Sequence, residues 1–134
     1  MGEFSFSKND RLTSRKAIGE LFDGGEPCFV FPLKFVYVKR KAVGEPRLKA
    51  AFSVSKRNFK RAVDRNYLKR LMRETYRLNK TVLAQALSET GEQMDVMFIY
   101  AIKELKEYKT VEKSMLKCLD KLKSCLFTSS TQSE

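Results

Sequence analysis

Residues 56–77 read KRNFKRAVDRNYLKRLMRETYR. The stretch holds nine Lys or Arg against two acids, Asp64 and Glu74, and so carries +7 of the chain's formal +11. Arg61, Arg65, Lys69, Arg73 and Arg77 recur at every fourth position, with Asn66 and Arg70 beside them. At ~100° per residue this spacing fans the cations over one half of a helix. Tyr67, Leu68, Leu71, Thr75 and Leu78 fall within roughly 100° on the other side. One face is therefore expected to pack on a core while the other presents a ridge of cations. On this reading Arg65 and Arg73 are polar-face residues whose loss spares the fold, whereas Leu71 is core. Like charges at i,i+4 repel by ~0.2–0.5 kcal/mol per pair. A polyanion relieves that repulsion, because each phosphate neutralised also releases counterions.

The surrounding chain sets bounds on what this helix can serve. A length of 134 residues suits one domain with its own core, and 43% hydrophobic residues fits a globular protein. No apolar run approaches the ~20 residues of a membrane span, so no membrane partner is expected. The opening MGEFSFSKNDRL lacks the basic, apolar, then small layout of a signal peptide, which points to the cytoplasm. Cys28, Cys118 and Cys125 are odd in number and match no metal or disulfide spacing. The last two stand about 10 Å apart on one helical face, too far to bridge, and are expected to be small apolar residues in a reducing compartment. The chain has no histidine, which removes the commonest general acid/base and the commonest metal ligand. Asp64 and Glu74 lie about 15 Å apart along one helix and cannot share an ion, so pairing with neighbouring Arg is expected. No catalytic residue and no metal site is assigned.

Outward from the basic helix the elements follow from pattern. Ser14 is read as the N-cap of a short helix with Ala17, Ile18, Leu21 and Phe22 on one stripe, stopped at Gly24-Gly25. Pro32 divides CFVFPLKFVYVKR into a short edge strand near 28–31 and a longer strand at 33–40. In the longer strand Leu33, Phe35 and Tyr37 share one face, and Lys34, Val36 and Val38 the other. Residues 48–55 form the next strand, expected to pair antiparallel with its predecessor. Helical pattern continues from the basic helix through 80–90 to Gly91. MDVMFIYA at 94–101 is almost wholly apolar and reads as a buried central strand. A last helix from Thr110 turns Val111, Met115, Cys118, Leu119, Leu122, Cys125 and Leu126 inward. The expected architecture is a single-domain α+β sandwich of order α-β-β-β-α-β-α, with a four-stranded mixed sheet and the basic helix packed on it. The domain is set at 1–127, with a disordered tail at 128–134.

The segment 48–77 resembles the protein subunit of bacterial ribonuclease P. That family has a strand ending in a V-S-K-K-like turn, then a helix reading A-V-x-R-N-R-x-K-R-x-x-R-E. The matching residues are Val54, Ser55, Lys56 and Arg57, then Ala62, Val63, Arg65, Asn66, Lys69, Arg70, Arg73 and Glu74. An F-x-K-x-x-R-L pattern from Phe6 to Leu12 extends the likeness, which covers about residues 4–125. Tyr67 stands where the family usually has Arg, and its place beside the apolar stripe points to packing.

The resemblance implies RNA contacts from Lys56, Arg57, Arg61, Arg65, Asn66, Lys69, Arg70 and Arg73. It also implies a cleft for the single-stranded 5′ leader of precursor tRNA, expected here at Phe22, Phe35 and Tyr37. Exposed strand aromatics can stack unpaired bases, and buried ones are simply core. The implied partners are ribonuclease P RNA and precursor tRNA, with no obligate protein partner. The implied activity is removal of the 5′ leader by phosphodiester hydrolysis, with chemistry and Mg²⁺ held mainly by the RNA. The alternative is a free-standing RNA-binding module, such as a ribosomal or RNA-chaperone protein, without a nuclease role.

Overall fold

The basic stretch folds as helix α2 (Ala62–Asn79), in the middle of the element order. Before it come α1 (Arg15–Gly24), β1 (Glu26–Val30), β2 (Leu33–Lys41) and β3 (Leu48–Val54). After it come α3 (Thr81–Thr90), β4 (Glu92–Tyr100) and α4 (Tyr108–Gln132). The computed structural model describes residues 11–12, 15–24, 26–41 and 48–132, and its side-chain description excludes positions 15, 17, 22, 24, 26 and 127–132. The proposed cap Ser14 and the Gly25 stop lie outside the described residues, as does the side chain of Phe22.

The four strands form one mixed sheet in the order β1-β2-β4-β3. β1 and β2 are an antiparallel hairpin with Val30 opposite Leu33, and a cis Phe31–Pro32 peptide lies in the turn. β2 runs antiparallel to β4, placing Phe35 opposite Phe98. β3 does not pair with β2. It runs parallel to β4, with Phe52 opposite Phe98, which corrects the expected antiparallel β2–β3 pair. A parallel pair needs a crossover of a dozen or more residues, and α2 with α3 supplies it. Gly91 ends α3 in the left-handed conformation at φ 71°, its N–H bonded to the Leu87 carbonyl, and turns the chain into β4.

The two faces of the sheet are unequal. The face carrying Leu33, Phe35, Ala50, Val54, Met94, Val96, Phe98 and Tyr100 meets α2, α3 and α4 in the main core. From α2 it receives Leu68, Leu71, Met72 and Tyr76, and from α4 Val111, Met115, Cys118, Leu119, Leu122 and Leu126. Phe52, Tyr76 and Phe98 meet at ring distances of 5.5 to 5.7 Å, in tilted, edge-on and stacked geometry. Among the described residues the other face carries a smaller cluster, in which Leu12 and Leu21 cover Val36 and Met97. Leu12 is held there by its N–H, which donates to the Ala50 carbonyl at 2.8 Å.

α4 also secures the far edge of the sheet. The buried Ser114 hydroxyl donates to the Val30 carbonyl of β1 at 2.7 Å. The Lys39 ammonium donates to the Cys125 carbonyl at 3.1 Å. The helix runs to Gln132, past the boundary set at 127, and Leu126 is its last buried side chain among those described. A helix already 19 residues long at Leu126 propagates at one hydrogen bond per residue, so polar composition alone does not end it.

Candidate nucleic-acid interface

The stripe that seats α2 is Leu68, Leu71, Met72, Thr75 and Tyr76, all buried at the i, i+3, i+4, i+7, i+8 spacing of one helix face. This corrects the sequence reading at its margins. Tyr67 is 42% exposed and Leu78 37% exposed, while Met72 and Tyr76 are fully buried. The stripe's centre lies about 90–110° from Tyr67 and Leu78 at ~100° per residue, so both fall at its flank. Tyr67 therefore stands among the polar residues of α2 rather than in packing.

On the outer side Asn66, Arg70 and Arg73 are exposed and Lys69 is half-buried. Lys56, Arg57, Lys60 and Arg61 are exposed in the turn that leads into the helix. That turn is built locally. The Phe59 N–H donates to the Ser55 carbonyl at 3.0 Å, and the Arg57 N–H donates to the Ser55 hydroxyl at 3.0 Å. Phe59 itself drops into the core, edge-on to Tyr100 at 5.7 Å. Arg65 differs from its neighbours: its guanidinium donates to the carbonyls of Phe59 at 2.8 Å and Lys60 at 2.9 Å. Its place on the wheel, about 50° from the centre of the buried stripe, turns it back onto the turn. Arg65 is thus a clamp on the fold as well as a cation. Arg77 pairs with Glu74, and that hydrogen bond holds the Glu74 carboxyl below the ordinary range.

The expected aromatic platform is corrected. Phe35 is 1% exposed and lies in the main core, and Tyr37 is half-buried and packed against that core. Phe35 and Tyr37 do share a face, and it is the face that three helices cover. The more open face carries Lys34, Val36, Val38, Lys49, Ala51, Ser53, Asp95, Met97 and Ile99, by the strand registers. Its two ends differ in charge. At the end near Lys41, Arg40 pairs with Glu20 of α1 at 3.6 Å and with Asp95 at 3.4 Å. Burial pushes the Asp95 carboxyl up against the pull of Arg40. A cleft of about 440 Å³ opens there, lined by Glu20, Asp23, Val38 and Arg40. Its carboxylates disfavour a phosphate.

At the opposite end three connections meet along one rim of the sheet, because Val30, Leu33, Tyr100 and Val54 are register neighbours. They are the 31–32 turn, the 101–107 segment and the basic 55–61 turn. Tyr100 ties them together. Its hydroxyl donates to the Glu104 carbonyl at 2.7 Å and accepts the Lys106 N–H at 2.9 Å, and burial pushes its pKa up to about 12. Two rim residues escaped the sequence reading. Phe29 and Phe31 are 57% and 54% exposed. Period-2 alternation in CFVF, with Cys28 and Val30 turned inward, already carried that signal.

A mixed α/β domain with a cationic crossover helix on one side and a partly open sheet on the other is, as a class, a nucleic-acid-binding module. The sequence model of the ribonuclease P family matches residues 6–123. The ribonuclease P protein component of Porphyromonas gingivalis is 36% identical over 131 residues, which is 98% of this chain and 96% of that protein. That of Chlorobaculum tepidum is 37% identical over 117 residues, covering 78% of this chain and 76% of its own. The ribonuclease P proteins of Staphylococcus aureus and Thermotoga maritima share the fold, both at TM-score 0.64. They are 20% and 23% identical, covering 86% and 83% of this chain and 95% and 96% of theirs. The chain belongs to the ribonuclease P protein family, and with that family come RNA binding and tRNA processing.

Proposed function

We propose that this chain is the protein partner of a catalytic RNA in removing the 5′ leader of precursor tRNA. It binds ribonuclease P RNA through Lys56, Arg57, Arg61, Lys69, Arg70 and Arg73, with Asn66 and Arg65 beside them, and needs no further protein. Each cation that meets a phosphate releases counterions, so the affinity is expected to fall steeply with salt, with a log–log slope of about −4 for five contacts. The leader runs over the open sheet face at the end near the basic 55–61 turn, away from the acidic cleft of α1, in place of the covered Phe35 face. The RNA carries out the hydrolysis. Among the described residues no three His, Cys, Asp or Glu side chains come together, and we assign the Mg²⁺ to the RNA. The reading sets the protein in the cytoplasm, in keeping with three free cysteines.

The observation that carries this proposal is the near full-length match to ribonuclease P protein components together with the exposed cations on α2 and its leading turn. Reconstitution with a ribonuclease P RNA at low Mg²⁺ tests it. The mixture is expected to cleave precursor tRNA at the leader junction, and the RNA-free protein to leave it intact. Cleavage by the repurified protein alone would move the chemistry onto this chain. Tight binding without any gain in cleavage would favour a free-standing RNA-binding module.

A further inference from the structure

Phe29 and Phe31 are large apolar rings in open view on a strongly basic protein. They stand at the β1 edge of the open face, their ring centroids 6.5 Å apart and their planes at 70°. Phe29 is the register partner of Lys34, so the two side chains leave the same face of the sheet side by side. The row continues across the strands through Ile99 to Ser53, and the chain then enters the basic turn at Lys56 and Arg57. On the other side of Phe31, the Lys106 ammonium sits 5.6 Å from the ring centroid. Lys106 also pairs with Glu104 at 3.8 Å, and Glu104 is itself well exposed. The segment bearing Lys106 is fixed to the rim by the Tyr100 hydroxyl and by the Ala101 N–H, which donates to the Pro32 carbonyl at 2.9 Å.

Rings interleaved with ammonium groups match one kind of ligand. Every nucleobase has a π-face to stack, and every nucleotide adds a phosphate for a cation. A second protein copy matches poorly, since it would bring +11 against +11 and Lys is depleted at protein interfaces. We propose that Phe29, Phe31, Lys34 and Lys106 form a subsite for unpaired RNA nucleotides at the β1 edge, and that leader bases remote from the basic turn stack there. The rim spans three strand spacings, roughly 14 Å, so one strand of RNA can touch both ends. This inference rests on the leader reading above, and it adds a place where a longer leader gains affinity.

The test uses enzyme reconstituted with ribonuclease P RNA and three ligands: precursor tRNA with a long leader, precursor tRNA with a leader of one or two nucleotides, and mature tRNA. The variants are the doubles Phe29→Ala/Phe31→Ala and Phe29→Leu/Phe31→Leu. Both doubles are expected to bind the long-leader substrate roughly tenfold more weakly and the other two ligands as the parent does. Thermal melts of the free variants are expected to match the parent, and if the Ala double melts early the Leu double carries the comparison. Undiminished long-leader binding in both doubles overturns the subsite while leaving the leader reading standing. Loss in the Ala double alone shows apolar docking rather than stacking and overturns it as well. Equal loss for all three ligands does the same. A parent dimer in sedimentation that the doubles dissolve would make the patch an interface between copies. A parent that never prefers long-leader substrate to mature tRNA removes the leader reading itself, before any variant is compared.

Discussion

Arg65 separates two roles that a charge count merges. Its guanidinium clamps two carbonyls of the turn that enters α2, while Arg70 and Arg73 extend from the same helix into open solvent. Arg65→Ala is expected to lower stability by ~1–3 kcal/mol, since hydrogen bonds from a charged donor are lost. Arg70→Ala and Arg73→Ala are expected to stay within about 0.5 kcal/mol of the parent in the same urea titration. With the apolar stripe centred toward Tyr67 and Leu78, all three fall on the polar side. With Met72 and Tyr76 in the stripe instead, Arg65 comes within about 50° of its centre and reaches backbone carbonyls five and six residues earlier. Tyr100 gives the residue-scale pH dependence. Its folded pKa is raised from 10.0 to about 12, so the folded state keeps a proton that the unfolded state releases first. The stability it contributes is whole below pH 10 and is lost as pH rises toward 12. Tyr100→Phe should remove that part of the alkaline loss in thermal melts, and should cost ~1–2 kcal/mol at pH 7 through the two broken hydrogen bonds.

For the elements, burial on α2 decides what each leucine does. Leu68 is fully buried and Leu78 is 37% exposed. Leu68→Ala is expected to destabilise by ~2–5 kcal/mol, and Leu78→Ala by less than about 1 kcal/mol, in parallel denaturant titrations. Existence and type of the elements were readable from period alone. Alternation gave the strand faces, the 3.6-residue stripe gave the helices, and Pro32 and Gly91 marked two of the breaks. Which strand lies beside which was not readable. Alternation in LKAAFSV sorts its side chains into two sets, and the sets are the same whether the neighbour is β2 or β4. The same limit misplaced the aromatic platform. Phe35 and Tyr37 do share a face, but only the packing of α2, α3 and α4 says that this face is closed. The cations of the candidate interface needed no such knowledge, because they sit on one continuous helix and the turn before it.

At the scale of the molecule, the sheet is held by a strand that comes late in the chain. β4 lies between β2 and β3 and is the only described strand that pairs with both. A chain ending at Gly91 has β1, β2, β3 and the whole basic helix, yet lacks the strand and the helix α4 that close the core. It is expected to show no cooperative thermal transition by circular dichroism, whereas removal of residues 128–134 should leave the transition in place. A sharp melt of the shorter chain would mean that the hairpin and α2 form a unit by themselves. The β1-β2-β4-β3 order also sets a sequence in time. During synthesis α2 leaves the ribosome before β4 does, so its cations are presented while there is still no sheet behind them. Repulsion along that helix is then unopposed by packing, and an RNA within reach can neutralise it. The core behind the helix is therefore completed only once residues 92–100 have emerged and β4 can take its place between β2 and β3.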